Sequence, residues 1–257
     1  MSAGYLGHCY VGGWVPMPKL SIITTILHPN QGLVDAIQSA SEYPDSEHLI
    51  SVAGDLDRAR QILDHAGITT PILIAAPAAG IAEGFNACLR RASGDLIWVL
   101  NSGDRALNLN PLIERMDSDR TLDFVYGNVY YGDKLTRARG VLNRSSCLLH
   151  GMSFCHGAVI VRASFHEKFG LYDPSFRICM DADLFIAAIL RGARSAHVDL
   201  PVAYIAPGGL SSDARARVWE LRRSLSRHVR EPVPTLLAAK WLMASFLVKW
   251  FSNRGQK

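Results

Sequence analysis

The sequence predicts an α/β fold: a mostly parallel sheet with helices on both faces and a helical C-terminal tail. Three observations carry this. First, short β-branched apolar runs alternate with helical periodicity. Leu20–Ile26 (LSIITTI) reads as a strand, Asn30 and Gly32 open a helix running through Ala40, and Leu49–Ala53 is a second strand. Leu56–Ala66 is a second helix and Ile72–Ala75 a third strand. Second, GIAEGFNACLRRASG (Gly80–Gly94) places Ile81, Phe85, Cys88, Leu89 and Ala92 on one helical face, and Ser93-Gly94 supplies the stop. Third, Asp95–Leu100 leaves no room for a helix before Asn101-Ser102-Gly103-Asp104, so it reads as a buried strand delivering an acidic turn. Sheets of this kind bind nucleotides along the carboxyl edge of their strands, which is where Asp104 falls. An aspartate there is also a common turn former or cap, and spacing alone leaves both readings open.

Composition narrows the class. A chain of 257 residues, 49% hydrophobic and 19% charged, can bury a substantial core as one large domain or two closely packed lobes, and is neither disordered nor fibrous. The net charge of +4 is mild, arginine concentrates near the C-terminus, and no RNA or DNA module motif occurs, so nucleic acid is not an expected partner. Cys9, Cys88, Cys147, Cys155 and Cys179 are odd in number and lack CxxC spacing, which suits a reducing, cytoplasmic compartment. Residues 1–17 have no basic stretch followed by an apolar core, so they read as an N-terminal extension, a tail or an edge strand, and not as a signal peptide.

Phe124–Tyr131 adds one more strand, after which the regular alternation fades. His156 sits in the apolar stretch HGMSFCHGAVIVR (150–162), where a lone histidine is commonly a hydrogen-bonded core residue. Met180-Asp181-Ala182-Asp183-Leu184 leads into a helix from Leu184 to Arg191, with Asp181 as its N-cap and Asp183 in its first turn. Val202–Ile205 is a strand, followed by the polar loop Gly208–Ser212.

Together these pieces resemble the inverting family 2 glycosyltransferases of GT-A fold, especially bacterial enzymes that build capsular or exopolysaccharide repeat units. The resemblance rests on LSIITT, the GIAEGFN helix start, SGDLIWVLNSGD, DFVYGNV, FCHGAVIVR, EKFGLYD, MDADL and GGLSS, in the family's order over roughly residues 18–213. It implies a GT-A domain over 18–213, a nucleotide-sugar donor, a saccharide or lipid-linked saccharide acceptor, and Mg2+ or Mn2+ as cofactor. By the same resemblance Asp104 is the metal ligand and Asp181 the catalytic base, with Asp183 as the alternative. Thr24, Asp55, Asp57, Asn86 and Asp104 would surround the donor, and His156 and Asp183 would face the acceptor or the diphosphate. An aspartate at a helix start should be ionised at neutral pH, as a base must be.

The pattern is broken at several positions. Val52 stands where the family carries an acid after the second strand, leaving Asp55 or Asp57 as substitutes near the nucleoside. Ala78 and Ala79 replace charged residues, Ala82 an aromatic, and Gly103 the first acid of the metal turn. One retained aspartate suffices for magnesium or manganese when substrate phosphates supply other ligands. Two rival functions follow. A non-catalytic glycosyltransferase-like scaffold is suggested by the lost donor contacts. A sugar nucleotidyltransferase shares the nucleotide-binding sheet but needs a glycine- and arginine-rich phosphate loop absent near the first strand.

Residues 214–257 have a different character. Arg215, Arg217, Arg222, Arg223, Arg227 and Arg230 decorate a helical segment whose Val218, Leu221 and Leu225 share a face, and Pro232 and Pro234 break it. Leu236–Phe251 is nearly continuous apolar sequence, interrupted by Lys240 and short of the ~20 residues a spanning helix needs. It reads as an anchor at the inner face of the cell membrane, its basic neighbour facing anionic lipid, or as a helix packed on protein.

Overall fold

The computed structural model describes residues 9–10, 13–14, 19–43, 45–76, 80–138, 142–208, 213–230 and 232–254. Most of residues 1–17, Ala78, Ala79 and the Gly209–Ser212 part of the polar loop lie outside the described residues. Within the N-terminal extension Cys9–Tyr10 pairs antiparallel with Gly13–Trp14, apart from the main sheet.

The first half alternates as the sequence predicts: β1 (Leu20–Ile26), α1 (Gln31–Ser39), β2 (Ser46–Val52), α2 (Leu56–His65), β3 (Ile72–Ala75), α3 (Ile81–Leu89) and β4 (Leu96–Val99). Then come β5 (Arg105–Ala106), α4 (Asn110–Ser118), β6 (Phe124–Tyr131), β7 (Lys134–Thr136) and α5 (Arg144–His150). A single 3-10 turn, His156–Ala158, leads into β8 (Val159–Arg162), α6 (Ala163–Phe169), α7 (Met180–Leu190) and β9 (Ser195–Ile205). Helices α8 (Ala214–Ser226) and α9 (Val233–Arg254) close the chain.

The sheet runs β3-β2-β1-β4-β8-β6-β9-β5, with β7 added beside β6. Six strands share one direction, whereas β8, β5 and β7 run against it. Because β8 is reversed between β4 and β6, its N-terminal end meets the carboxyl edge of β4. That reversal brings the His156–Ala158 turn beside the acidic turn. Trp98, fully buried at the centre, donates its indole N–H to the Gly157 carbonyl at 2.9 Å and fixes the two together.

Alternate residues of each strand enter opposite cores, as the two-residue period requires. Ile23, Val99, Phe124 and Val159 pack against Phe85 of α3 and Phe185 of α7, while Ile22, Trp98, Val125 and Ile160 pack on the other face with Ala36 of α1 and Leu112 and Met116 of α4.

The C-terminal helices are attached to this body. Val218 and Leu225 of α8 are buried, as are Leu237 and Ala238 of α9, with Trp241 packed beside them. The early part of α9 thus packs on protein, while Leu236 and Met243 keep 64% and 66% of their surface exposed. Among the described residues no helix is long and apolar enough to cross a membrane.

Candidate active site

The acidic turn after β4 is fixed by backbone geometry. Asp104 N–H bonds the Asn101 carbonyl at 3.0 Å, and Gly103 N–H the Gly32 carbonyl at 3.0 Å, with Gly103 at φ +90°, a conformation L side chains avoid. The glycine at position 103 is therefore demanded by the turn itself. Asp104 is buried, and Ala206 N–H donates to its Oδ1 at 2.9 Å. Burial pushes its carboxyl up to about 6 despite hydrogen bonds from Ala206 and Asn101. Gly157 faces it: a Cβ there would lie 2.7 Å from Ile205 Cδ1 and 3.9 Å from Asp104 Oδ2.

Asp181 is not the N-cap that the sequence suggests. Helix α7 starts one residue ahead of it, Cys179 occupies the cap position without a side-chain hydrogen bond, and Asp181 lies in the first turn. Its Oδ1 accepts the Ala182 N–H at 2.7 Å. Nor does the helix start hold its acidity low. Burial lifts the carboxyl to about 6, opposed by the hydrogen bonds and aided by the charge of Glu220. It remains mostly ionised at pH 7, by roughly ten to one.

Asp104 and Asp181 converge. The Cys155 thiol is pushed up to about 12, first by burial and then by the nearby carboxylates of both residues. His156 Nε2 and Tyr172 Oη share a 2.8 Å hydrogen bond, and Tyr172 in turn is raised by burial and by the Asp181 charge. Burial drives His156 down to about 3, so its ring is neutral, edge-on to Phe85. Among the described residues neither Asp104 nor Asp181 has a salt-bridge partner.

The other predicted site residues are distributed differently. Thr24 is fully buried, its hydroxyl donating to the Leu100 carbonyl at 2.5 Å and meeting His48 Nε2 at 3.0 Å. It braces the strand that carries the acidic turn. Asn86 is also withdrawn: it donates to the Tyr172 carbonyl at 2.8 Å and accepts the Tyr172 N–H at 3.0 Å, clamping the tyrosine loop to α3. Asp55 and Asp57 are exposed just beyond β2, with Asp55 capping α2 through the Arg58 N–H at 2.9 Å. Asp183 is buried, and its Oδ2 pairs with Arg227 Nη1 at 3.2 Å.

Helix α8 supplies what sequence reasoning missed. Glu220 accepts the N–H groups of Arg177, Ile178 and Cys179 at 3.1, 2.8 and 2.8 Å. These are the last three residues ahead of α7, so a distant carboxylate fixes the chain where it enters the helix. Arg223 donates to the carbonyl and hydroxyl of Ser175 at 3.1 and 2.6 Å, and Arg227 reaches Asp173 at 2.8 Å. Both guanidinium groups lie over the Phe176 ring, 4.5 and 4.7 Å from its centroid. Asp173, which partial burial would raise, is held at about 2 by Ser175 and Arg227. The one signal in the sequence was Glu220 itself, the sole acid between Ala214 and Arg230.

A metal ion has one buried protein ligand available in Asp104. Among the described residues no group of three or more His, Cys, Asp or Glu side chains gathers to hold one. A desolvated carboxylate without a cationic partner fits a divalent ion whose remaining ligands come from substrate phosphates.

The strand order with its central reversed strand, and the acid at the carboxyl edge, define a glycosyltransferase GT-A fold. Among solved structures the chain is similar to Staphylococcus aureus TarS 1–349 in complex with UDP-GlcNAc, with 14% identity, a TM-score of 0.62, and 87% of this chain and 71% of that one covered. It is also similar to the mannosyltransferase PcManGT from Pyrobaculum calidifontis in complex with GDP-Man and Mn2+, with 13% identity, a TM-score of 0.61, and 90% and 76% covered. No protein-family model matches the sequence, and no curated protein matches it.

Proposed function

We propose that the protein is an inverting glycosyltransferase that moves a sugar from a nucleotide-sugar donor to a saccharide or lipid-linked saccharide. The observation that carries this reading is the convergence of Asp104, buried, and Asp181, half-buried, about Cys155, both near 6. A protein retained only as a scaffold has no use for two unpaired carboxylates held at such a cost.

In this reading Asp181 accepts the proton of the acceptor hydroxyl. That oxygen bonds to the anomeric carbon from the side opposite the nucleotide, the bond from carbon to phosphate oxygen breaks, and the nucleoside diphosphate leaves with the electron pair. A pKa near the working pH suits a base that must be ionised before the step and protonated after it. Asp104 holds the Mg2+ or Mn2+, which when bound stabilises the growing negative charge of the diphosphate. Asp55 and Asp57, at the end of β2, are the acids available to the nucleoside. Neutral His156, tied to Tyr172, adds no charge to the site. The reading is completed by a role in polysaccharide biosynthesis and a cytoplasmic location at the membrane surface, the exposed Leu236 and Met243 of α9 touching lipid.

The test is a panel of UDP-, GDP- and dTDP-sugars screened by thermal shift with and without manganese, followed by NMR of the product formed from the donor that binds. Stabilisation by one nucleotide sugar and a product of inverted anomeric configuration are expected. A retained configuration would sink the mechanism, and no response to any donor would sink the assignment.

A further inference from the structure

Tyr172 joins three parts of the candidate site. Its backbone is held by α3: Asn86 Nδ2 donates to the Tyr172 carbonyl at 2.8 Å, and Asn86 Oδ1 accepts the Tyr172 N–H at 3.0 Å. Its side chain is held by the turn beside Asp104, through the 2.8 Å hydrogen bond between the hydroxyl and His156 Nε2. Its chain continues through Asp173 and the loop clasped by Glu220 into α7 and Asp181. We propose, building on the glycosyl-transfer reading, that Tyr172 is a positioning residue that sets the gap between the metal-side carboxylate, Asp104, and the base, Asp181.

Both anchors of this joint are themselves fixed. A Cβ at Gly84 would collide with the Thr25 and Ser51 hydroxyls, so α3 rests directly on β1 and β2, the strands that form the nucleoside edge. The His156 turn is held by Trp98, whose indole N–H meets the Gly157 carbonyl at 2.9 Å. Between the two anchors Tyr172 is buried, its ring centroid 5.4 Å from that of Phe85 and 5.5 Å from that of His156. A side-chain amide that meets both polar groups of one residue fixes its orientation as well as its place, as a neighbouring strand would.

Electrostatics supplies the need for such a brace. Asp104 and Asp181 both act on the Cys155 thiol, so two carboxylates share one neighbourhood and repel each other. An unbraced loop would relax by carrying Asp181 away. The brace itself is uncharged: burial keeps the His156 ring neutral, and burial and the Asp181 charge keep the Tyr172 hydroxyl protonated, so the bond persists where Asp181 is ionised. The base must face the anomeric carbon from the side opposite the diphosphate, and a misplacement of about 1 Å costs on the order of 10²-fold in rate.

The test compares the full chain with Tyr172→Phe, Asn86→Ala and their combination, and with Cys88→Ala. Phenylalanine keeps the ring and both backbone bonds and loses the hydroxyl alone, so Tyr172→Phe decides the matter even where Asn86→Ala fails to fold. Cys88→Ala loosens the same helix on its sheet side, where the thiol meets the Thr24 and Leu49 carbonyls. Calorimetry with UDP, GDP and dTDP in the presence of manganese reads donor binding, and release of nucleoside diphosphate from a panel of their sugars, with water as acceptor, reads the chemical step. Tyr172→Phe and Asn86→Ala should each slow release by about tenfold or more, at pH 7 and pH 8 alike, and leave nucleotide binding unchanged. Their combination should lose less than the product of the two, since both cut one joint. Cys88→Ala should melt earlier and release at the wild-type rate. Undiminished release by Tyr172→Phe overturns the proposal, as does equal slowing by Cys88→Ala, which would reduce the effect to general loosening. Lost nucleotide binding in Asn86→Ala also overturns it and makes Asn86 a donor contact. A wild type that cleaves no nucleotide sugar fells the transfer reading and this role together, whereas an active wild type matched by Tyr172→Phe fells the role alone.

Discussion

Glu220 governs the position of Asp181 without touching it: the Glu220 carboxylate accepts the Cys179 N–H at 2.8 Å, two residues ahead of Asp181, and its charge adds to the upward shift of the Asp181 carboxyl. Glu220→Gln keeps the size but removes the charge and one acceptor oxygen. The change should cost about 1–3 kcal/mol of stability, the penalty of leaving a charged hydrogen-bond set incomplete. Turnover should fall and its acid limb should move to lower pH, because Asp181 loses a like charge. A variant that is less stable but keeps the same acid limb would reduce Glu220 to a cap.

Asp181→Asn separates base from structure. The Asn side chain still accepts from Ala182, so donor binding should hardly change while transfer falls by about 10² to 10⁴. Asp183→Asn should do the reverse, costing about 1–3 kcal/mol by weakening a part-buried pair with Arg227 and slowing transfer less. Melting temperatures and single-turnover rates of the two variants check this, and a larger rate loss at Asp183 would reverse the assignment.

The pH dependence follows from two carboxyls near 6. Activity should rise with pH through about 6, as Asp181 and Asp104 ionise. The stability sign is opposite to that of a salt-bridged acid. Each group binds its proton more tightly folded than unfolded, so its burial penalty is full above about 6 and is relieved as pH falls towards 4. Asp104→Asn and Asp181→Asn should therefore raise the melting temperature at pH 8 and lose most of that gain at pH 4.5. Equal gains at both pH values would show that ionisation is not the cause.

Asp104→Ala should abolish the effect of manganese on donor binding and on turnover, since the ion loses its one protein carboxylate. Asp95, at the other end of β4, is the control. Its Oδ2 accepts the Lys19 N–H at 3.0 Å, so Asp95→Asn should alter folding at most. Thermal shifts with nucleotide sugar, with and without manganese, distinguish them, and full metal stimulation in Asp104→Ala would end the assignment.

The legible parts of the fold were those held by local pattern. Leu20–Ile26, Ile72–Ala75 and Phe124–Tyr131 are strands with the bounds that their apolar content predicts. Strand β2 starts at Ser46 and not at Leu49 because the ladder beside β1 continues through Glu47, whose carboxylate accepts from Ser21 and Ser93. Apolarity marks a buried strand and misses a hydrogen-bonded one. Short elements such as α5, capped by Asn143, and α6 offered too few turns for a period to show. In the candidate site, the motifs singled out Asp104 and Asp181, which the fold brings to the two sides of Cys155. Thr24 and Asn86 had the chemistry of ligand contacts, but their hydrogen bonds are consumed by Leu100 and by Tyr172, partners remote in sequence. A long-range partner also accompanies the misplaced cap: Glu220 of α8 holds the residues ahead of α7, and the helix starts without a side-chain cap.

The clasp of α8 on the loop before α7 also sets an order of events during synthesis. The parallel half of the sheet, through β4, is complete once about the first hundred residues have left the ribosome. The loop that leads into α7 and Asp181 lacks the N–H acceptors of Glu220 and the arginine contacts until α8 emerges, more than thirty residues after it. Closing contacts across such separations comes late, since the loop entropy must be overcome before the contacts reward it. A chain not yet extended through α8 thus has its parallel strands and acidic turn, while the entry to α7 lacks its clasp.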